Sequence, residues 1–323
     1  MKVAWFDAED WEKKYIEEEN TDLDITFFSD PLNDKTVAKA EDFDAVTVFV
    51  SSDIEQDVID ALDAELICCR STGFDHVDIE SAEENGMTVC NVPAYGGTTV
   101  AEHTFGLILA LSRKIHSAIK RVDEGEFDHS GLRGFDLKGK KLGVIGTGAI
   151  GKNVIRIANG FDMDVIAFDP AKDDEAAKEL GYMYVSLEDL LEQSDIITLH
   201  CPLNAATRGL LGEEQLELMD DSLLINTARG ELLETEALLE ALEDGSVRAA
   251  GLDVLEEECR IDEDIEVVKQ QDKCDMEKVL EGHMLMERED VLITPHNAFN
   301  SVEAMHRIAD TTLENLRHQT NPV

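Results

Sequence analysis

Short apolar runs recur along this chain, and the stretches between them place apolar residues at the spacing of a helix face. Runs at 3–6, 23–28, 45–50, 66–68 and 87–90 read as strands, separated by helical segments such as 54–62. Alternation of this kind predicts a small parallel α/β unit. A long helix is predicted from 98 to 122, although its apolar stretch 99–119 carries Glu102, His103, Arg113, Lys114 and His116. The alternation then resumes. Runs at 141–145, 165–168, 196–200, 223–226, 249–254 and 291–294 predict a second sheet, with a helix at 150–159 and a closing helix at 301–317. Between 256 and 290 lies a long charged connection with no clear strand, of a length that compact domains keep for functional or mobile loops.

The turn after the run 141–145 is Gly146-Thr147-Gly148-Ala149-Ile150-Gly151. Its first glycine permits a tight bend, the second lets backbone N–H groups approach a pyrophosphate, and the third lets the helix pack closely on the strand. Asp169 falls 23 residues after Gly146, at the end of the next strand, where a carboxylate accepts hydrogen bonds from a ribose diol. Strand, turn, helix, strand and acid together specify a dinucleotide site far better than the glycines alone. Such a turn ordinarily opens a nucleotide domain, yet here it stands near mid-chain. Residues 1–97 are therefore expected to form a separate domain and 98–296 the nucleotide domain. The segment 297–323, a helix with no sheet of its own, is expected to return to the first domain.

Composition narrows the class. A chain of 323 residues with 43% apolar content accommodates two ordinary cores. No apolar run approaches the length of a membrane span, and the first residues open directly into a strand with no signal-peptide pattern, so a cytoplasmic protein is expected. Cys68, Cys69, Cys90, Cys201, Cys259 and Cys274 form no CxxC and no pairing with histidine, which predicts reduced, mostly buried thiols and no metal site. Charge changes the picture more. Against 71 acidic residues stand 28 basic ones, a net charge of -43 spread along the whole chain. That field repels nucleic acid and anionic membranes, and its self-repulsion points to a salt-rich cytoplasm.

Three chemically capable residues stand at the carboxyl ends of strands in the nucleotide domain, where open α/β sheets bind ligands. Arg229 lies in Asn226-Thr227-Ala228-Arg229-Gly230, Glu258 closes Asp253-Val254-Leu255-Glu256-Glu257-Glu258, and His296 lies in Thr294-Pro295-His296-Asn297. Arginine grips a carboxylate with two parallel hydrogen bonds. Histidine exchanges a proton near neutral pH, and a carboxylate on its other nitrogen orients it and favours its charged form. Each also has a bland reading: a salt-bridging arginine, one of three solvated glutamates, a histidine at a helix start. By spacing alone Glu256 and Glu257 compete with Glu258.

At these residues the chain resembles the D-isomer-specific 2-hydroxyacid dehydrogenases, nearly end to end. The resemblance runs through Arg70-Ser71-Thr72-Gly73-Phe74-Asp75-His76-Val77-Asp78, Asn91-Val92-Pro93-Ala94-Tyr95, Val100-Ala101-Glu102-His103, the Gly146 turn, Leu199-His200-Cys201-Pro202-Leu203, the Arg229 and Asp253–Glu258 segments, and Pro295-His296-Asn297-Ala298-Phe299. It implies an α/β fold of two doubly wound parallel-sheet domains, a Rossmann NAD-binding domain inserted into a smaller flavodoxin-like substrate domain. It implies NAD as cofactor, touched by the Gly146–Gly151 turn, Asp169, His200, Cys201, Pro202, Thr207, Thr227, Ala228 and Asp253. The resemblance further implies that Arg229 binds the carboxylate of a small 2-keto or 2-hydroxy acid, that His296 is the acid/base, and that Glu258 is its partner. Thr72, Gly73, Tyr95 and Phe299 join Arg229 around the substrate, and a homodimer forms through the NAD-binding domain. Tyr95, Phe299 and the stretch between Glu258 and His296 are most similar to D-lactate dehydrogenases, whereas Tyr95-Gly96-Gly97 departs from the Ser-Pro that usually follows the tyrosine there. Reduction of pyruvate to D-lactate is therefore expected. The alternatives are a glyoxylate/hydroxypyruvate or bulkier 2-keto acid reductase and, in another class, an NAD(H)-sensing corepressor-like protein.

Overall fold

The structure, a computed structural model, describes residues 1–256 and 276–323. Glu257, Glu258, Cys259 and Cys274 lie outside the described residues. The chain divides into two compact units, one built from Met1–Tyr95 and Asn300–Val323, the other from Gly96–Phe299. The crossings thus fall at 95/96 and 299/300 rather than at the expected 97/98 and 296/297.

In the first unit β1 (Lys2–Trp5), β2 (Asp24–Phe27), β3 (Ala45–Val48), β4 (Leu66–Cys69) and β5 (Thr88–Cys90) form a parallel sheet in the order β2-β1-β3-β4-β5. Helices α1 (Asp10–Glu19), α2 (Gln56–Asp60) and α3 (Ile79–Glu84) connect them. The sheet is covered on both faces, which is why its central strands read as unbroken apolar runs. Ala4 and Phe6 enter one core, while Val3 and Trp5 enter another, completed by Ala309, Leu313 and Leu316.

The second unit holds β6 (Lys141–Ile145), β7 (Asp164–Phe168), β8 (Met183–Tyr184), β9 (Ile196–Leu199), β10 (Ser222–Asn226), β11 (Val247–Leu252) and β12 (Val291–Ile293). All pair in parallel, in the order β12-β11-β10-β9-β6-β7-β8. The order reverses between β6 and β9, the position at which such sheets open a ligand crevice. Its helices are α4 (Gly97–Ser112), α5 (Ile115–Asp123), α6 (Ala149–Gly160), α7 (Asp174–Leu180), α8 (Leu187–Gln193), α9 (Glu213–Leu216), α10 (Thr235–Asp244) and α11 (Met276–Met286). The last helix of the chain, α12 (Val302–His318), belongs to the first unit.

Two elements differ from the sequence reading. The helix expected at 98–122 is two helices, α4 and α5, broken at Lys114, which takes a left-handed φ of +52°. The Ser112 carbonyl accepts the Phe135 amide at 2.9 Å, so a returning segment uses the acceptor that the helix would need to continue. Part of the connection at 256–290 is the helix α11, which packs on α10 and buries Val279 and Leu285. Among the described residues no helix is long and apolar enough to cross a membrane.

Candidate active site

The glycine turn joins β6 to α6. Gly146 holds φ +95°, and a Cβ there would stand 2.6 Å from the carbonyl carbon of His200, so no side chain fits. A Cβ on Gly151 would stand 2.0 Å from the Gly146 oxygen, the close helix–strand approach that the third glycine permits. Gly148 differs, because a Cβ there would meet nothing within 4 Å. That open space adjoins the start of α6, which has no side-chain cap, so its first-turn amides are left without a capping side chain. The arrangement fits a pyrophosphate.

Asp169 stands just past β7, as its spacing predicts. One carboxylate oxygen accepts the Thr147 amide at 2.7 Å and the Thr147 hydroxyl at 3.1 Å, and the other accepts the Ala171 amide at 2.8 Å. The acid therefore braces the glycine turn. Beyond β9, His200 sets its Nε2 2.9 Å from the Thr198 hydroxyl, while its buried Nδ1 has no partner among the described residues. Burial pulls its pKa down to about 3, so the ring is neutral across the physiological range. Burial likewise pushes the Cys201 thiol up to about 11. Thr207 is held locally, its hydroxyl donating to the Pro202 carbonyl at 2.6 Å.

Arg229, Asp253 and His296 follow β10, β11 and β12, three neighbours in the sheet. Buried Asn226 shapes the first loop: its side chain donates to the Arg229 carbonyl at 2.8 Å and accepts the Ala228 amide at 3.0 Å. The Arg229 guanidinium donates to the Ala228 carbonyl at 2.8 Å. A Cβ at Gly230 would stand 2.1 Å from the Leu255 carbonyl, so this glycine lets the Arg229 loop press against the segment leading to Glu258. Thr227 and Thr104 of α4, both buried, bring their hydroxyls to 3.0 Å.

Asp253 is 1% exposed and organises the His296 turn. Its carboxylate accepts the Thr294 hydroxyl at 2.5 Å and the amides of Asn297 and Ala298 at 3.0 and 2.8 Å, and its carbonyl accepts the His296 amide at 2.8 Å. His103 of α4 adds Nε2 at 3.1 Å from the Thr294 hydroxyl and 3.4 Å from the carboxylate. Burial pushes the Asp253 carboxyl up, but the hydrogen bonds from His103, Thr294 and the Ala298 amide outweigh it and hold the group below the usual carboxylate range. His296 sits in this clamp with a left-handed φ of +46°, its ring 6.5 Å from that of Phe299. Of the three glutamates, Glu256 is engaged elsewhere: it accepts the Thr235 amide and hydroxyl at the start of α10, at 2.9 and 2.7 Å, and pairs with Lys278 at 3.2 Å. That use removes one competitor of Glu258.

In the first unit, Thr72 and Gly73 follow β4. The Thr72 hydroxyl donates to the Val92 carbonyl at 2.9 Å, and Asn91 donates to the Thr72 carbonyl at 2.8 Å. Tyr95 ends that segment, its carbonyl accepting Arg307 at 3.0 Å. Sequence reasoning assigned no role to Asn226, Thr104, His103 or Thr294. A buried polar residue beside a strand end was the available signal, and burial is not written in the sequence.

Residues 105–298 match the family described as D-isomer specific 2-hydroxyacid dehydrogenase, NAD binding domain. A 2-hydroxyacid dehydrogenase homolog of Haemophilus influenzae is 40% identical over 98% of this chain and 95% of its own length. A D-lactate dehydrogenase of Escherichia coli is 38% identical over 98% and 96%. The crystal structure of a D-lactate dehydrogenase from Aquifex aeolicus, complexed with NAD and lactic acid, superposes with a TM-score of 0.87 at 31% identity, covering 99% of this chain and 98% of that one. A Rossmann-type unit with a dinucleotide turn, matched over its length by this family, establishes an NAD-dependent oxidoreductase, and the chain belongs to the D-isomer specific 2-hydroxyacid dehydrogenases.

Proposed function

We propose that this enzyme reduces pyruvate to D-lactate. The observation that carries the reading is the placement of Arg229 and His296 beyond β10 and β12 of one sheet, on loops bonded to the same helix, α4. When bound, NADH supplies the hydride. The Arg229 guanidinium holds the substrate carboxylate with paired hydrogen bonds and draws electron density from the adjacent carbonyl. His296, protonated before the reaction, donates its proton to the carbonyl oxygen as the alcohol forms. Glu258 favours the protonated ring. Backbone N–H groups at Thr72 and Gly73 share the carboxylate, and Tyr95 and Phe299 border the substrate's side chain. Asp169 accepts the ribose hydroxyls. Asp253 serves the dinucleotide chiefly by fixing the turn beside it, because its carboxylate already accepts the Thr294, Asn297 and Ala298 donors.

The kinship with D-lactate dehydrogenases supports pyruvate among the 2-keto acids. NADH oxidation should be followed with pyruvate, glyoxylate, hydroxypyruvate and bulkier 2-keto acids, and the pyruvate product resolved on a chiral phase. We expect the highest kcat/KM with pyruvate and D-lactate as product. A better substrate in the panel would reassign the acid, and L-lactate would refute the proposed arrangement of Arg229 and His296. No turnover with any acid would favour the sensor reading.

We also propose a homodimer through the NAD-binding unit and a cytoplasmic setting. Helix α5 buries none of its residues, and Ile119, Val122 and Phe127 are exposed, Phe127 almost fully at 99%. An apolar patch of this kind marks a protein interface. Light scattering on the wild type and Phe127→Glu decides the point: the wild type should run as a dimer and the variant as a monomer. Buried free thiols at Cys68, Cys69 and Cys90 agree with a reducing compartment.

A further inference from the structure

Two consecutive residues of α4 reach the two loops that carry Arg229 and His296. Thr104 meets Thr227, and His103 meets Thr294 and Asp253. Proton positions in the second contact follow by elimination. An ionised carboxylate only accepts, so the Thr294 hydroxyl, 2.5 Å from Asp253 Oδ1, gives its hydrogen to Asp253. With that hydrogen committed, the Thr294 oxygen is an acceptor toward His103, and His103 Nε2 carries a proton. The ring thus delivers one N–H to the Thr294 oxygen and, at longer range, to Asp253. Asp253 in turn holds the amides of Asn297 and Ala298 and leaves His296 in a left-handed backbone that an L residue keeps only when its surroundings impose it.

We propose that His103 is a positioning residue for the reduction: its Nε2–H fixes the Thr294 hydroxyl on Asp253 and so sets the turn that presents the His296 imidazole. The proposal rests on the reading of His296 as the proton donor. His103 acts through the turn, so its loss misplaces the acid without removing it. Displacements on the order of an ångström cost about a hundredfold in rate where a proton must pass along a short, directed bond.

The test compares the wild type with His103→Phe, His103→Gln, Thr294→Val and the double variant His103→Phe/Thr294→Val. Phe fills the space and donates nothing, whereas Gln offers an N–H at similar reach. We expect His103→Phe to lower kcat by about tenfold to a hundredfold while the NADH dissociation constant stays within about twofold. His103→Gln should recover most of the rate. The double variant should be no slower than the slower single variant, since both single changes break one path. A wild-type kcat in His103→Phe, a Gln variant as slow as Phe, or losses that multiply in the double variant would overturn the proposal. If His103→Phe does not fold, the Gln variant and Thr294→Val carry the test. His296→Gln is assayed alongside. If it keeps its turnover, the proton-donor reading falls and the positioning role with it. If it is inactive while His103→Phe runs at full rate, the positioning role alone is wrong.

Discussion

We expect Asp169 to decide which dinucleotide the enzyme prefers. Its carboxylate oxygens accept three hydrogen bonds from Thr147 and Ala171, which hold the group at the end of β7, where we place the adenosine ribose. A 2′-phosphate would bring a second negative charge against it, and Pro170-Ala171 offer no arginine to receive one. The nearby Lys172 ammonium lies over the Tyr184 ring. We expect kcat/KM to favour NADH over NADPH by about a hundredfold, in keeping with the several kcal/mol that like charges cost when juxtaposed. Equal efficiency with NADPH would refute the role of Asp169. His200 makes a second residue-level case. Its native pKa, about 3, lies below the ordinary histidine value near 6.5, so between these values the unfolded chain binds the extra proton and stability rises with pH. The stabilisation is present above the unfolded value and is lost as pH falls toward the folded one. Between pH 6.5 and 5.5, above the range where carboxylates titrate, wild type should lose about 1 kcal/mol that His200→Gln does not lose. Urea melts at the two pH values measure it, and identical slopes for the two proteins would show that His200 does not stay neutral.

Among elements, the first unit is tied together by a buried ion pair. Arg70, at the end of β4, and Glu12 of α1 are 3% and 2% exposed in their side chains, and the guanidinium lies 5.1 Å over the Trp5 ring. It also donates to the Phe6 carbonyl. Removing one partner leaves a buried charge, so Glu12→Gln should cost about 3 kcal/mol by denaturant unfolding, whereas Glu12→Leu with Arg70→Met should recover much of that loss. An unchanged midpoint in the single variant would mean that water reaches the pair. Elements were legible in the sequence where the sheet faces are buried. The run 141–145 and the turn after it identify β6, Gly146 and α6 because each demand is local: strand, bend, helix. The helix break at Lys114 was illegible, because Phe135, 23 residues beyond Ser112, imposes it by taking the Ser112 carbonyl. Helix α11 hid inside a charged stretch because it buries only a narrow face. Around the candidate site, the strand ends that present Arg229 and His296 were legible. Glu258 and Glu256 look alike in sequence, and only the fold shows that Glu256 is engaged by the Thr235 amide and hydroxyl at the start of α10.

Across the whole molecule charge dominates. A net charge of -43 on one chain, doubled in the proposed dimer, creates repulsion that unfolding relieves. Ion pairs such as Lys140–Asp195, Lys152–Asp173 and Arg317–Asp22 neutralise some acids, yet 71 acidic residues far outnumber the 28 basic ones. At 0.1 M ionic strength the Debye length is about 10 Å and at 1 M about 3 Å, so concentrated salt screens neighbouring carboxylates. We expect the thermal midpoint to rise from 0.05 to about 2 M KCl, and NaCl to act alike, since only mobile cations are required. A flat or falling midpoint would remove the argument for a salt-rich habitat.

The first unit is closed by the last residues of the chain. Helix α12 supplies Ala309, Leu313 and Leu316 to the core around Val3 and Trp5, Asn315 donates to the Asn91 carbonyl at 2.7 Å, and the Val323 amide bonds to Val89 at 3.0 Å. Residues 1–95 leave the exit tunnel first, but the core around Val3 and Trp5 lacks Ala309, Leu313 and Leu316 until α12 has been made. The NAD-binding unit is continuous in sequence, so it is the first able to complete itself during synthesis, and domain maturation runs against the direction of translation. A nascent chain stalled or truncated before residue 300 would carry a finished dinucleotide fold attached to a first unit whose core around Val3 and Trp5 has Ile16 of α1 but lacks Ala309, Leu313 and Leu316. Such a fragment should recruit holding chaperones and resist refolding on its own.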